Sequence, residues 1–248
     1  MGRVVVAVAC ALALLAAGCG SSPGARVHFQ GPIGSGADAY YLYEPTTEIR
    51  AVVVYLHGLD ESELNTANHR PWLWHLALQG DAVVYPRYEI NPGTYGANRH
   101  IELAVEAALR RLESPSVPIV VIGYSRGGRL AVEWAAVANA LRRAPKAVMS
   151  IFPGSLNPRA EEIIDFRALD PATRIWILVG EADQREGARE LLRRLARAEF
   201  PPERVRAILV RSQKGFIADH FSVFKTSAPA RKAFWARADR LVDDAVRS

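Results

Sequence analysis

Apolar runs rich in valine, isoleucine and aromatic residues recur along the whole chain. They fall at Ala39–Tyr43, Ala51–Leu56, Ala82–Tyr85, Ile119–Ile122, Ala147–Ile151, Arg174–Val179 and Val205–Val210. Most are continuous rather than alternating, as expected for strands covered on both faces in a parallel sheet. Between them, residues 71–79, 98–113, 126–143, 185–199 and 227–246 have the spacing of helices. Strand and helix alternating at this length predict an α/β fold, a mostly parallel twisted sheet with helices on both faces. The stretch between the runs at 147–151 and 174–179 is short and carries Pro153, Pro158 and Pro171, which leaves no room for a large lid domain. The sequence contains no internal repeat and no low-complexity block.

The N-terminus has a different character. Arg3 precedes an almost wholly apolar run from Val4 to Ala17, too short to span a bilayer comfortably, and the run ends in Leu15-Ala16-Ala17-Gly18-Cys19. This resembles a bacterial lipoprotein signal, in which small residues precede an invariant cysteine; Ala16 stands where leucine is commoner. The resemblance implies cleavage before Cys19, a diacylglycerol on its thiol, and an extracytoplasmic, membrane-anchored protein. An ordinary secretory signal, with a secreted or periplasmic product, is the alternative. The expected organisation is a leader over 1–18, a lipidated Cys19 with a flexible tether over 19–37, and one domain over 38–248. The only other cysteine is Cys10, inside the leader, so the mature domain would have no free thiol, disulfide or cysteine metal site.

Charge adds little to this picture. The formal net charge is +5. Many of the arginines (Arg189, Arg193, Arg194 and Arg197) lie beside Glu186, Glu190 and Glu199 at helical spacing, the pattern of a solvated face. No nucleic-acid-binding module is recognisable, and no nucleic-acid partner is expected. No metal is expected either, because no His-x-x-x-His with an accompanying Glu occurs. No dinucleotide fingerprint follows an early strand, so no cofactor is expected.

The chemistry concentrates where the run Ile119–Ile122 ends in Gly123-Tyr124-Ser125-Arg126-Gly127, followed at once by helical spacing. A strand, a sharp turn and a helix with serine at the apex lift the hydroxyl off the backbone, and small neighbours let strand and helix close up. In such sheets functional groups gather beyond the carboxyl ends of the strands. His57-Gly58-Leu59-Asp60, Asp183 and His220 also follow predicted strands. Over about residues 38–246 these features jointly resemble the α/β-hydrolase superfamily: His57-Gly58 after the third strand, the Gly-x-Ser-x-Gly turn, and the order Ser…Asp…His.

The resemblance implies Ser125 as nucleophile, His220 as general base and then acid, and Asp183 as the group orienting His220. It implies the backbone N–H groups of Leu59 and Arg126 as the oxyanion hole, and a structural His57. Glu181, and less plausibly Asp165, compete with Asp183; Asp219 reads as a loop or surface residue beside His220. The long irregular stretch 86–96 is the expected specificity loop, and Trp72, Trp74, Tyr88, Tyr95, Tyr124 and Phe216 are candidates to line the site. The activity implied is hydrolysis of a carboxylic ester, small or lipid-like, through an acyl-enzyme. Peptidase, thioesterase or acyltransferase chemistry would use the same groups, and a non-catalytic binding or scaffold lipoprotein is the rival of another class. The sequence carries no signal of oligomeric state.

Overall fold

At the centre of the sheet lie two strands with almost no exposed side chain, β3 (Ala51–Leu56) and β5 (Ile119–Tyr124), paired in parallel with Val54 opposite Val121. Their β-branched residues point alternately to two separate cores. Val52, Val54 and Val121 join one, and Val53, Val120 and Ile122 join the other. This is why the runs read as continuously apolar: each face of the sheet carries its own layer of helices.

The computed structural model describes residues 26–59, 66–90, 96–113, 116–158, 161–183 and 186–248. Around the central pair stand β1 (Val27–Ile33), β2 (Tyr40–Pro45), β4 (Asp81–Pro86), β6 (Ala147–Ile151), β7 (Arg174–Gly180) and β8 (Val205–Val210). The eight strands are ordered β1-β2-β4-β3-β5-β6-β7-β8; β2 runs antiparallel to both of its neighbours, β1 and β4, and every other pair is parallel. Helices α2 (Ala97–Leu112), α3 (Arg126–Ala140) and α4 (Gly187–Arg197) contribute Ile101, Trp134 and Leu191 to one core. Helices α1 (Arg70–Leu78), α5 (Ala228–Ala233) and α6 (Trp235–Val246) contribute Leu73, Ala230 and Leu241 to the other. The expected α/β architecture is therefore present. The C-terminal helix is tied to the N-terminal ends of β3 and β4 by Arg50, which donates to Asp81 at 2.8 Å and to Asp243 at 2.7 Å.

Three details differ from the sequence expectations. Val27–Ile33, assigned above to the tether, is a strand that pairs with β2 along Val27–Pro45 to Ile33–Tyr40. Its Phe29 stacks on Tyr41 and lies against Tyr43, and that aromatic burial holds the edge in place. The run at 227–246 is two helices broken at Phe234 (φ −118°, ψ −58°), whose fully buried ring is drawn in against Phe152 and Phe216. Arg194, expected on a solvated face, is half-covered: it pairs with Glu133 at 2.8 Å and stacks over Phe166. The leader and Cys19 lie outside the described residues. Among those that are described, no helix is long and apolar enough to cross a membrane.

Candidate active site

Strand β5 delivers its last residue, Tyr124, to the carboxyl edge of the sheet, and α3 begins at Arg126. The single residue between them, Ser125, has φ 55° and ψ −122°, a strained conformation for a residue with a side chain. The turn is held by its neighbours: Ser125 N–H donates to Ile151 at 2.9 Å, and Gly154 N–H donates to the Ser125 carbonyl at 2.8 Å. Glycine is obligatory beside it. A Cβ on Gly123 would lie 2.1 Å from the Gly127 carbonyl oxygen, and one on Gly127 would lie 2.2 Å from that of His57. Only without those carbons can the first turn of α3 rest on the ends of β3 and β5.

The same packing brings the loop after β3 to the turn. Gly127 N–H donates to the His57 carbonyl at 3.0 Å, which ties the loop that carries Leu59 to the first turn of α3. His57 is fully buried, and its Nε2 donates to the Arg87 carbonyl at 2.9 Å. Arg126 opens α3, where a helix supplies no carbonyl of its own to the N–H. Backbone N–H groups at such a turn and helix start can receive an oxygen that acquires negative charge.

His220 and Asp183 reach the serine from the ends of β8 and β7. His220 Nε2 lies 2.9 Å from Ser125 Oγ, and its Nδ1 lies 3.2 Å from Asp183 Oδ2. With Nδ1 protonated and donating to the carboxylate, Nε2 is free to accept the serine proton. The ring is seated on Tyr124, with centroids 5.1 Å apart, and against Phe221. Ser125 and His220 are each 8% exposed, so the chain of hydrogen bonds is shielded yet open on one side. The two acid- and base-bearing loops meet through another glycine. A Cβ on Gly180 would lie 2.4 Å from the Ala218 carbonyl, to which Ala182 N–H donates at 3.1 Å.

Each competing residue is occupied elsewhere. Glu181 accepts the Ser212 N–H at 2.8 Å, bracing the loop that leads to His220. Asp165 is exposed and caps a short turn through Arg167. Asp219 receives the Ser222 hydroxyl and N–H on its carbonyl, and so shapes the turn that presents His220. Of the candidate lining aromatics, Tyr124 lies beneath His220 and Tyr88 stacks on His57 at 4.2 Å. Trp72 and Phe216 are instead core, because α1 and the loop before His220 turn those rings inward onto Trp235 and Phe234. Trp74 faces Tyr43 and Arg70, away from the site. Tyr95, with residues 91–95 of the expected specificity loop, lies outside the described residues. Phe221, 60% exposed, lies against His220, and Leu59 (44%) and Ile217 (58%) are exposed on the loops that follow β3 and precede His220.

The family resemblance assigns a role to the backbone N–H of Arg126 alone. Its side chain is buried too and belongs to an ion network. Arg126 pairs with Glu89 and, at 2.6 Å, with Glu161; Arg129 pairs with Glu161 and, at 2.6 Å, with Glu133; Glu133 also meets Arg194. These three arginines and three glutamates balance in charge, as burial requires. Arg126 and Arg129 fall three apart at the start of an otherwise apolar helix, a sequence signal of an inward-facing polar stripe. Burial alone would raise the Glu161 carboxyl, but Arg129, the Asn157 N–H and Arg126 outweigh it and hold the carboxyl below its usual range. Among the described residues no group of three or more His, Cys, Asp and Glu could hold a metal ion.

With sheet order, elbow and strand-end loops in view, the architecture has a name. The fold is that of the α/β-hydrolases. Esterase B of Lactobacillus rhamnosis, solved with a tributyrin phosphonate inhibitor, is similar over 90% of this chain and 86% of its own (TM-score 0.67, 16% identity). Carboxyl esterase 2 of the fungus Tuber melanosporum is similar over 91% and 86% (TM-score 0.62, 18% identity). The Pyrobaculum calidifontis esterase is similar over 90% and 85% (TM-score 0.60, 21% identity). No protein-family model and no curated protein sequence matches this chain.

Because Glu161 is held ionised by partners lost on unfolding, its contribution to stability is present above its unfolded pKa and fades as pH falls through and below about 4.5. Glu161→Gln should lower stability at pH 7 by on the order of 3 kcal/mol. It should also flatten the acid limb of a plot of Tm against pH. An acid limb unchanged by the substitution would contradict this assignment.

Proposed function

We propose that this protein is a serine hydrolase of carboxylic esters. The observation that carries the reading is the continuous hydrogen-bond chain from Ser125 Oγ through His220 to Asp183 at the strained turn. The esterase names of the structural neighbours agree with it. In this mechanism Ser125 Oγ attacks the ester carbonyl carbon while its proton passes to His220 Nε2. Asp183 holds the ring and stabilises the imidazolium that results. The carbonyl oxygen, now negative, is received by the N–H groups of Arg126 and Leu59; one such donor is worth about 3 kcal/mol in the barrier. Collapse of the tetrahedral species breaks the bond to the alcohol, which leaves with the proton from His220. A water molecule then gives its proton to His220, attacks the acyl carbon and releases the acid, restoring Ser125.

The exposed Phe221 beside His220, with Leu59 and Ile217 exposed on the neighbouring strand-end loops, supports an ester of an apolar acid as the substrate. We also propose that Cys19 carries a lipid and holds the domain at a membrane. That reading rests on the sequence Leu15-Ala16-Ala17-Gly18-Cys19.

A fluorophosphonate probe should label the wild type, and Ser125→Ala should abolish labelling and lower the hydrolysis of p-nitrophenyl butyrate by at least about 10³-fold. Equally poor labelling and turnover in the two folded proteins would refute the hydrolase reading and leave a binding protein. Cys19→Ser should move the protein from the membrane to the soluble fraction; unchanged fractionation would refute anchoring through that residue.

A further inference from the structure

Three consecutive residues after β4 touch both sides of the proposed oxyanion hole. The Arg87 carbonyl accepts the His57 ring N–H at 2.9 Å. The Tyr88 hydroxyl donates to the His57 carbonyl at 2.6 Å, and its ring stacks on the His57 ring. The Glu89 carboxylate pairs with the Arg126 guanidinium, which also lies over the Tyr88 ring at 5.9 Å. Tyr88 and Glu89 are buried, and the segment is tightly turned, with Tyr88 at φ 49° and the Glu89 N–H on the Arg87 carbonyl at 2.7 Å. A left-handed tyrosine is retained only where the surroundings over-determine it, which makes it a mark of a constrained device.

We infer that Arg87-Tyr88-Glu89 is a bracket that sets the spacing between the two oxyanion donors. One arm reaches the loop of Leu59 through His57, and the other reaches Arg126 through its side chain. The inference rests on the serine-hydrolase reading and adds positioning residues, Tyr88 and Glu89, that never meet the substrate. The His57 carbonyl receives both the Tyr88 hydroxyl and the Gly127 N–H, so the bracket and the elbow share one atom. A shift of the bracket therefore moves the Leu59 loop relative to α3. That shift changes the fit to the tetrahedral oxyanion more than the fit to the ground-state ester.

Tyr88→Phe removes one hydroxyl and keeps the ring stack; Glu89→Gln keeps the shape and removes the charge. Each variant is titrated with a fluorophosphonate, and kcat per titrated site, KM for p-nitrophenyl butyrate, and inhibition by an alkyl trifluoromethyl ketone are measured. The expected result is a fall of between about 10- and 100-fold in kcat, an equal loss of ketone affinity, and KM within about twofold of wild type. Ketone affinity within about twofold of wild type in Tyr88→Phe overturns the inference, whatever happens to thermal stability. Were Glu89→Gln to misfold, Tyr88→Phe alone would decide. A wild type that takes no fluorophosphonate instead overturns the hydrolase reading, and the bracket with it.

Discussion

The contact of Gly127 with the end of β3 is the constraint on which the site depends. There a helix start, a central strand and a strand-end loop meet with no side chain between them, and a Cβ would stand 2.2 Å from the His57 carbonyl. That approach forces the backbone at Ser125 into its strained conformation and docks the His57-Gly58-Leu59 loop against α3. Strain of this kind costs on the order of 1–3 kcal/mol and persists only where packing over-determines it. Here the two cores on either side of β3 and β5 supply that packing, together with hydrogen bonds from the ends of β5 and β6.

Around this contact the molecule divides its labour by chemistry. Apolar and aromatic packing positions the histidine, which sits on Tyr124 beneath a loop pressed against Gly180. Charge positions the helix start, through the balanced network that joins Arg126 and Arg129 to Glu89 and Glu161 from two other segments and to Glu133 from α3 itself. An ion network suits the second task because its geometry is directional, and a set of loops with little apolar surface can be fixed by it. The two kinds of support meet at the His57 carbonyl, beside the proposed oxyanion hole.

Much of this was legible in the sequence, for definite reasons. Continuous Val/Ile runs betray strands buried on both faces, so β3 to β7 and the helices between them are legible; β8, at the edge and largely uncovered, is legible from its apolar residues alone. The Gly-x-Ser-x-Gly spacing marks an elbow because only glycine tolerates the contacts found at Gly123 and Gly127. Ser125, Asp183 and His220 follow β5, β7 and β8, their roles are those the family resemblance implies, and the structure brings those three side chains together. What escaped is equally instructive. Val27–Ile33 is interrupted by Gln30-Gly31-Pro32 and has no continuous apolar run, and its strand state depends on Tyr41 and Tyr43, residues distant in sequence. Helical spacing of arginines and glutamates looks the same whether the face is wet or buried, so neither the covered position of Arg194 nor the buried side chain of Arg126 is legible from it. The role of Tyr88 as a wedge behind His57 depends on a left-handed backbone that no tyrosine announces.

The central claim is that Ser125 forms a covalent acyl-enzyme, and a slowly released acyl group tests it most directly. Treatment with p-nitrophenyl dimethylcarbamate should release one equivalent of p-nitrophenol and leave a carbamoyl group on the peptide containing Ser125, read by mass spectrometry. Release without a covalent adduct, or an adduct on any other residue, would contradict the account.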